Sequence, residues 1–467
     1  MNNTQSGDTI AAISTPLGEA GIGIVRLSGP DSLKIADKIF RSVHDKSKPS
    51  KFLSYTVHYG FIVEKEKKID EVILTVMRAP KTYTREDVVE INCHAGIAVL
   101  KKIFELVLQE GARAALPGEF TKRAFLNGRI DLVQAEAVCD IINAKTNLSL
   151  KAAFEQLEGG LSFKIKKIRA EILDLIAYCE ALIDFPEEDL KTQSKNISER
   201  IKNVLQEFEE LISSFENGRI LREGISAAII GRPNAGKSSF LNVLLGCERA
   251  IVTSVPGTTT DTIEESINID GARIKIIDTA GISLKNNKKK KVVKNLIEKQ
   301  AFKRTEKALE NSEVIIFIMD SSKLLTREDK IFLKEIEQKK AIIILNKIDL
   351  PRKIIKNNLK KISKKTIVEI SAKKNINIEK ARKAISDIVW KNGLNFENEI
   401  VVTNIRHKEL LFMARKDVYA VSVMDSVDLE LIVEGLRESA VKMGEITGQE
   451  IDDDILKRIF KNFCIGK

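Results

Sequence analysis

The chain has 467 residues, 43% of them apolar, enough for about three domains with ordinary hydrophobic cores. No apolar run approaches the ~18 residues of a membrane span, and five scattered cysteines without a CxxC pair argue against a disulfide framework and a zinc site. The net charge of +10 is compatible with a polyanionic partner, but Lys dominates over Arg and composition bias explains it equally well.

The opening MNNTQSGDTI lacks the basic-then-apolar pattern of a signal peptide, so the chain reads as cytoplasmic. Residues 1–124 read as an α+β domain. GIGIVRLSG and DEVILTVMRAP are β-branched, partly alternating strands bounded by Gly and Pro, with one helix near Ile97–Leu108. From about Phe125 the period becomes helical. Leu161, Ile165, Ile168, Ile172, Leu175, Cys179 and Leu182 recur at alternating steps of four and three, the single apolar stripe of a bundle helix. A second stripe runs Ile197, Ile201, Val204, Phe208, Leu211, Phe215 and is expected to stop at Asn217–Gly218. Leu429–Phe463 is helical again.

Between these helical arms, residues 219–390 alternate strand and helix: ISAAII, ARIKIID, EVIIFIMD, KAIIILN and TIVEIS are short apolar strands, the pattern of a parallel, doubly wound sheet. The fold class is therefore multidomain α/β: an α+β N-terminal domain (1–124), a discontinuous helical bundle domain (125–218 and 391–467), and an inserted, Ras-like P-loop GTPase domain (219–390).

GRPNAGKSS fits GxxxxGK[ST] through Gly231, Gly236, Lys237 and Ser238, after a strand and opening a helix. Backbone N–H groups of Asn234 to Ser239, with Ala235 and Gly236 between them, can cradle phosphate oxygens at the helix N-terminus. Lys237 can neutralise the β/γ charge and Ser238 can ligate Mg²⁺. DTAG (Asp278, Thr279, Ala280, Gly281) ends a strand, with Asp278 suited to water-mediated Mg²⁺ contact and the Gly281 N–H to the γ-phosphate. NKID (Asn346, Lys347, Ile348, Asp349) ends a later one. The Asp349 carboxylate can accept from guanine N1–H and the N2 amino group, donors that adenine lacks there. SAK (Ser371, Ala372, Lys373) suits backbone contact to guanine O6, and TTTD (Thr258–Asp261) falls where a switch I threonine completes the Mg²⁺ shell. Five elements in unpermuted order specify a GTPase. The residue after DTAG, often a water-orienting Gln, is Ile282. An aliphatic side chain cannot orient water, so that task falls elsewhere. The amide oxygen of Asn234 can ligate a monovalent cation beside the phosphates, where an arginine finger would otherwise act; the alternative is that it only caps the loop.

The inserted G domain, IDFPEEDL and ILREG before it, TYTREDVVEINCHAG and PGEFTKRAFLNGRIDLVQAEAV upstream, and GEITGQEIDDDILKRIFKNFCIGK at the end together resemble the MnmE (TrmE) family of tRNA-modification GTPases over the full length. The resemblance implies a homodimer joined through the N-terminal domains and a heterotetramer with the FAD-binding partner MnmG. It implies modification of C5 of the wobble uridine of certain tRNAs by an aminomethyl or carboxymethylaminomethyl group. The one-carbon unit would come from 5,10-methylene- or 5-formyl-tetrahydrofolate, and GTP hydrolysis would depend on K⁺.

By the same resemblance Thr253, Ser254, Val255, Pro256, Gly257, Thr258 and Thr259 join the GTP contacts. Asn234, Thr253, Val255 and Thr258 match K⁺ positions, and Ser238 and Thr259 match Mg²⁺ positions. Arg26, Glu90, Arg129 and Lys467 match folate positions; Cys464, in the closing FCIGK, would lie near the one-carbon donor without an adjacent histidine to activate it. Glu298 in IEKQAFKRT is the candidate water-positioning carboxylate, the alternative being a solvated helix glutamate. Six lysines between Lys285 and Lys294 read as a solvated loop, with tRNA or partner contact as the alternative. Thr260 replaces a usual arginine, Ser283 stands where the family often has Arg, and Ala95 makes CHAG of CHGG.

Two other classes compete. A ribosome-assembly switch of the Era or Der type would carry an RNA-binding module such as a KH domain, and no GXXG loop in such a context is present. A dynamin-like membrane GTPase would need a lipid-facing surface, whereas the apolar stripe is a narrow core seam.

Overall fold

A computed structural model describes residues 7–44, 46–185, 190–247, 265–278, 307, 309–390, 400–423, 428–461 and 463–466. The chain divides into two compact units, one of residues 1–142, 156–205 and 413–467, the other of residues 143–155 and 206–412.

The first unit is built on a seven-stranded sheet, β1 (Ile10–Ile13), β2 (Gly23–Ser28), β3 (Phe40–Ser42), β4 (Thr56–Glu64), β5 (Lys67–Met77), β6 (Val88–Cys93) and β7 (Arg113–Ala114), in spatial order β3-β4-β5-β6-β2-β1-β7. Alternation along β5 buries Val72, Leu74 and Val76 and leaves Glu71 and Ile73 exposed. The buried face meets two helices, Ile97–Gln109 where the sequence predicts one, and Ser32–Ile39, which the strand-dominated pattern conceals because it is only eight residues long. The antiparallel pairing of β2 with β6 sets Arg26 opposite Glu90. All seven stripe residues are buried on one 25-residue helix, Gly160–Asp184, which packs on the helix Leu429–Thr447. Leu429–Phe463 is two helices: Gly448, left-handed at φ 82°, ends the first, and Asp453–Lys461 follows.

One expectation fails. The helix carrying the second stripe does not stop at Asn217–Gly218 but runs Leu190–Glu223. Gly218 is helical, and a Cβ there would stand 2.2 Å from the Val402 carbonyl oxygen. The glycine permits a close backbone approach and is not a terminator.

The second unit holds a six-stranded sheet: β8 (Ile225–Ile230), β9 (Glu265–Ile269), β10 (Ala272–Asp278), β11 (Val314–Asp320), β12 (Lys340–Asn346) and β13 (Thr366–Glu369), ordered β13-β12-β11-β8-β10-β9. Five strands are parallel; β9 is an antiparallel edge joined to β10 by a tight turn at Asp270–Gly271. β11 is buried at every position, as a central parallel strand covered on both faces must be. Phosphate and base motifs follow the carboxyl ends of β8, β12 and β13, the end at which open parallel sheets bind ligands. Among the described residues no helix is long and apolar enough to cross a membrane.

Candidate functional sites

The phosphate loop leaves β8 at Gly231 and enters the helix Lys237–Cys247. Its glycines are demanded by space. Gly231 (φ 143°) would drive a Cβ to 2.2 Å from the Ile318 carbonyl oxygen, and Gly236 (φ 99°) to 2.1 Å from Asn346 Nδ2. Asn234 adopts a left-handed φ of 64°, which asparagine tolerates better than most residues. Lys237 Nζ donates to the loop carbonyls of Gly231 (2.8 Å) and Arg232 (3.2 Å), so the cation already sits inside the cradle. Arg232 pins the loop from outside through Asp329, at 3.4 Å.

Asn346, 2% exposed at the end of β12, ties three motifs together. Its Nδ2 donates to the Ala235 carbonyl in the phosphate loop (2.9 Å). Its Oδ1 accepts from the backbone N–H of Lys347 (2.8 Å) and of Ala372 in SAK (3.0 Å). Lys347, left-handed at φ 65°, donates Nζ to the Asn234 carbonyl (2.7 Å) and to Asp320 Oδ2 (2.7 Å). Burial pushes the Asp320 carboxyl up, but hydrogen bonds from Lys347 and Ser322 outweigh it and hold the group below its ordinary value. Asp349 is exposed, and a hydrogen bond from the Ser371 hydroxyl lowers its carboxyl, so an anionic acceptor faces the base position. The arrangement fits a guanine nucleotide: donors and Lys237 around the phosphate cradle, and a carboxylate acceptor held beside SAK.

Asn234, Ala235, Gly236, Lys237, Ser238, Ser239, Asn346, Lys347, Ile348, Asp349, Ser371, Ala372 and Lys373 lie among the described residues, as does the backbone of Asp278. Thr253 to Thr259, Thr279 to Gly281, Glu298 and the lysine-rich stretch lie outside them. Asp320 was not legible as a site residue; its signal was an acid ending an otherwise apolar strand, VIIFIMD.

In the first unit Arg26 Nε meets Glu90 Oε1 at 2.7 Å, both side chains one-fifth exposed. Arg26 Nη1 also donates to the carbonyl of Gly466 (3.1 Å), which the Ser14 hydroxyl joins at 3.3 Å. The closing FCIG is therefore seated on the sheet. Phe463 is buried beside Phe460, the Cys464 carbonyl accepts from the Gly118 N–H (3.1 Å), and Gly466 takes φ 91° where a Cβ would lie 2.9 Å from Ser14 Cα. Cys464 is free and exposed. Arg129 lies over the Tyr83 ring at 4.7 Å, and Arg26 over Phe120 at 5.8 Å. Burial pushes the Tyr83 phenol up, against a hydrogen bond with Thr121 and the charges of Arg129 and Arg26. The fold thus brings Arg26, Glu90, Arg129 and the tail into one neighbourhood; Lys467 lies outside the described residues. Tyr83 and Gly118, neither singled out from sequence, sit inside the stretches TYTRED and PGEF that were.

Two family models match the chain, "GTP-binding protein TrmE N-terminus" over residues 9–129 and "MnmE helical domain" over residues 132–464. A protein of Thermoanaerobacter pseudethanolicus named tRNA modification GTPase MnmE is 47% identical over 468 residues, covering 98% of this chain and 99% of that protein. Proteins of the same name from Acetivibrio thermocellus and Lactobacillus acidophilus are 45% and 43% identical, each over 98% of this chain and 99% and 98% of their own lengths.

Proposed function

This chain belongs to the MnmE family of tRNA modification GTPases, and from that premise we propose that it is a K⁺-activated GTPase which, with MnmG, installs an aminomethyl or carboxymethylaminomethyl group at C5 of wobble uridine. It is a GTP hydrolase of tRNA modification. The observation that supports this proposal is the agreement with MnmE proteins from end to end, including both flanks of the G domain that a ribosome-assembly switch would not share.

GTP is the substrate, with the phosphate cradle and Lys237 stabilising charge on its phosphates and Asp349 selecting guanine. Mg²⁺ would be held by Ser238 and Thr259, K⁺ by Asn234, Thr253, Val255 and Thr258. Glu298 is proposed to position the attacking water in place of the aliphatic Ile282. A tetrahydrofolate, when bound, supplies the one-carbon unit; Arg26, Glu90, Arg129 and Lys467 are proposed to hold it. What supports that set is the partly buried Arg26–Glu90 pair beside the seated tail: a carboxylate acceptor for an amino-bearing ring next to cations for anionic groups. Cys464 is exposed at the same place, which keeps a chemical role for it within the proposal. The proposal includes a homodimer through the N-terminal domains, a heterotetramer with MnmG, a cytoplasmic location, and three domains of residues 1–124, 125–218 with 391–467, and 219–390.

GTP turnover in KCl and NaCl at matched ionic strength tests the cation: the rate is expected to be at least about tenfold higher in KCl, and equal rates would refute the role of Asn234. Glu298→Ala is expected to bind GTP normally and lose about two orders of magnitude in turnover. Undiminished turnover would remove Glu298 from its role. The folate reading is tested by reconstitution: undermodified tRNA, MnmG, GTP and 5,10-methylene-tetrahydrofolate should yield C5-modified uridine, and product formed without any folate would reject it.

A further inference from the structure

A second feature of the first unit shares only Arg129 with the set above. An open cavity of about 400 Å³ lies beside the Arg129–Tyr83 stack. Its walls are Tyr55, Met77, Lys81, Tyr83, Arg85 and Arg129, and no carboxylate lines it among the described residues. Three cations and two phenol rings therefore share one cleft. The acids close in sequence are engaged elsewhere: Glu86 by Arg123 at 3.1 Å and the Ser28 hydroxyl at 2.7 Å, Asp87 by the Ala79 N–H at 2.9 Å, and Asp131 by Lys166 at 2.8 Å.

The backbone around this cleft is held in unusual conformations. Tyr55 and Arg85 have φ of 62° and 60°, a left-handed region that disfavours side chains bulky at Cβ by about 1–2 kcal/mol. Strain of this kind persists where surrounding structure over-determines it and clusters at binding sites. Here the determinants are visible: the Tyr55 hydroxyl donates to the Lys81 carbonyl, and Arg85 Nη1 to the Asn127 carbonyl at 2.8 Å. Tyr55 is nonetheless 62% exposed, a large aromatic face left to solvent at the rim of a cationic hollow.

We infer that this cleft receives a single-stranded nucleotide of the tRNA, its phosphates met by Lys81 and Arg85 and its base stacked against tyrosine; the inference rests on the tRNA-modification reading and names the surface that reading lacks. Unpaired RNA is recognised by this combination, cations tracking the backbone and aromatic rings taking the bases. Charge favours it, since a cleft without acids carries an uncompensated positive field. Openness favours RNA over a small one-carbon donor: a nucleotide in the loop of a large molecule has to be reached at the surface. Position favours it as well. The Tyr83 ring lies under Arg129, and its phenol feels Arg26, the residue that holds the tail. A nucleotide here would stand next to the neighbourhood proposed for the one-carbon donor. The cleft was invisible in sequence because Tyr55, the Lys81–Arg85 stretch and Arg129 come from three separate segments.

The test is a filter-binding titration of unmodified tRNA transcript with the full chain between 50 and 200 mM KCl. Lys81→Glu should weaken binding about tenfold or more and flatten the salt dependence by roughly 0.7 in log–log slope for each phosphate no longer neutralised. Tyr55→Ala should weaken it roughly fivefold or more. Lys101→Glu, an exposed lysine on the helix Ile97–Gln109, changes net charge equally and should stay within about twofold of wild type. Equilibrium dialysis with 5-formyltetrahydrofolate should give unchanged binding for Lys81→Glu and Tyr55→Ala. The inference is overturned if Lys81→Glu binds tRNA like the Lys101→Glu control. It is equally overturned if both cleft variants keep tRNA and lose folate, because the cleft then belongs to the donor. A wild-type chain that binds no tRNA would overturn the parent reading along with it.

Discussion

Replacing Asn346 by alanine should abolish nucleotide binding and destabilise the G-domain unit by about 3 kcal/mol or more. The side chain is 2% exposed and makes three hydrogen bonds to backbone, one to Ala235 and two from Lys347 and Ala372. Alanine leaves three backbone groups without those partners, and an unsatisfied buried group costs about 1–3 kcal/mol. The three bonds also set distances that matter for binding. They hold the phosphate loop, the base-selecting NKID turn and the SAK loop at fixed separations, so one substitution releases all three. Urea unfolding together with titration of a fluorescent GDP analogue checks both halves. A variant less than about 1 kcal/mol destabilised that still binds GDP would show that the motifs hold their places without this residue. Asn346→Asp separates the contributions, because it keeps the acceptor for Lys347 and Ala372 and turns the donor to Ala235 into a repelling oxygen.

Asp349→Asn should cost about two to four orders of magnitude in GTP affinity, since two hydrogen bonds to a charged acceptor contribute about 1.5–3 kcal/mol each. The same change should create affinity for xanthosine triphosphate, whose ring carries an oxygen where guanine carries its amino group and can accept from the new amide. An exposed Asp349 carboxyl is anionic at neutral pH, and the hydrogen bond from the Ser371 hydroxyl lowers it further. Competition of GTP against xanthosine triphosphate at both proteins measures the exchange. A variant that keeps GTP turnover within about threefold would place guanine selection elsewhere.

These effects show where the sequence was informative. Five of the six strands in the second unit carry their own signal as short, largely apolar runs, whereas the antiparallel edge β9, Glu265–Ile269, is not read from the sequence. ISAAII and ARIKIID coincide residue for residue with β8 and β10. The stripe from Leu161 to Leu182 is equally local, since helical period and burial are read within one segment. What sequence could not supply is register. Arg26 and Glu90 are 64 residues apart and meet only because β2 pairs antiparallel with β6 in one alignment; a slip by one would put the two side chains on opposite faces of the sheet. The contact between Arg26 and the Gly466 carbonyl spans 440 residues. Gly218 shows the converse error: a helix-breaking signal read locally was overruled by a tertiary contact with Val402 that only glycine admits. The resemblance to a known family supplied candidate residues for both sites, whereas the ties among them, through Asn346 and through the tail, emerged only from the folded structure.

The most direct measurement of the central claim is nucleoside analysis of bulk tRNA from cells lacking this chain. The account predicts loss of the C5-aminomethyl or carboxymethylaminomethyl group at the wobble uridine, with restoration by the wild-type chain and not by Asn346→Ala. A wobble uridine modified to the same extent with and without the chain would contradict it.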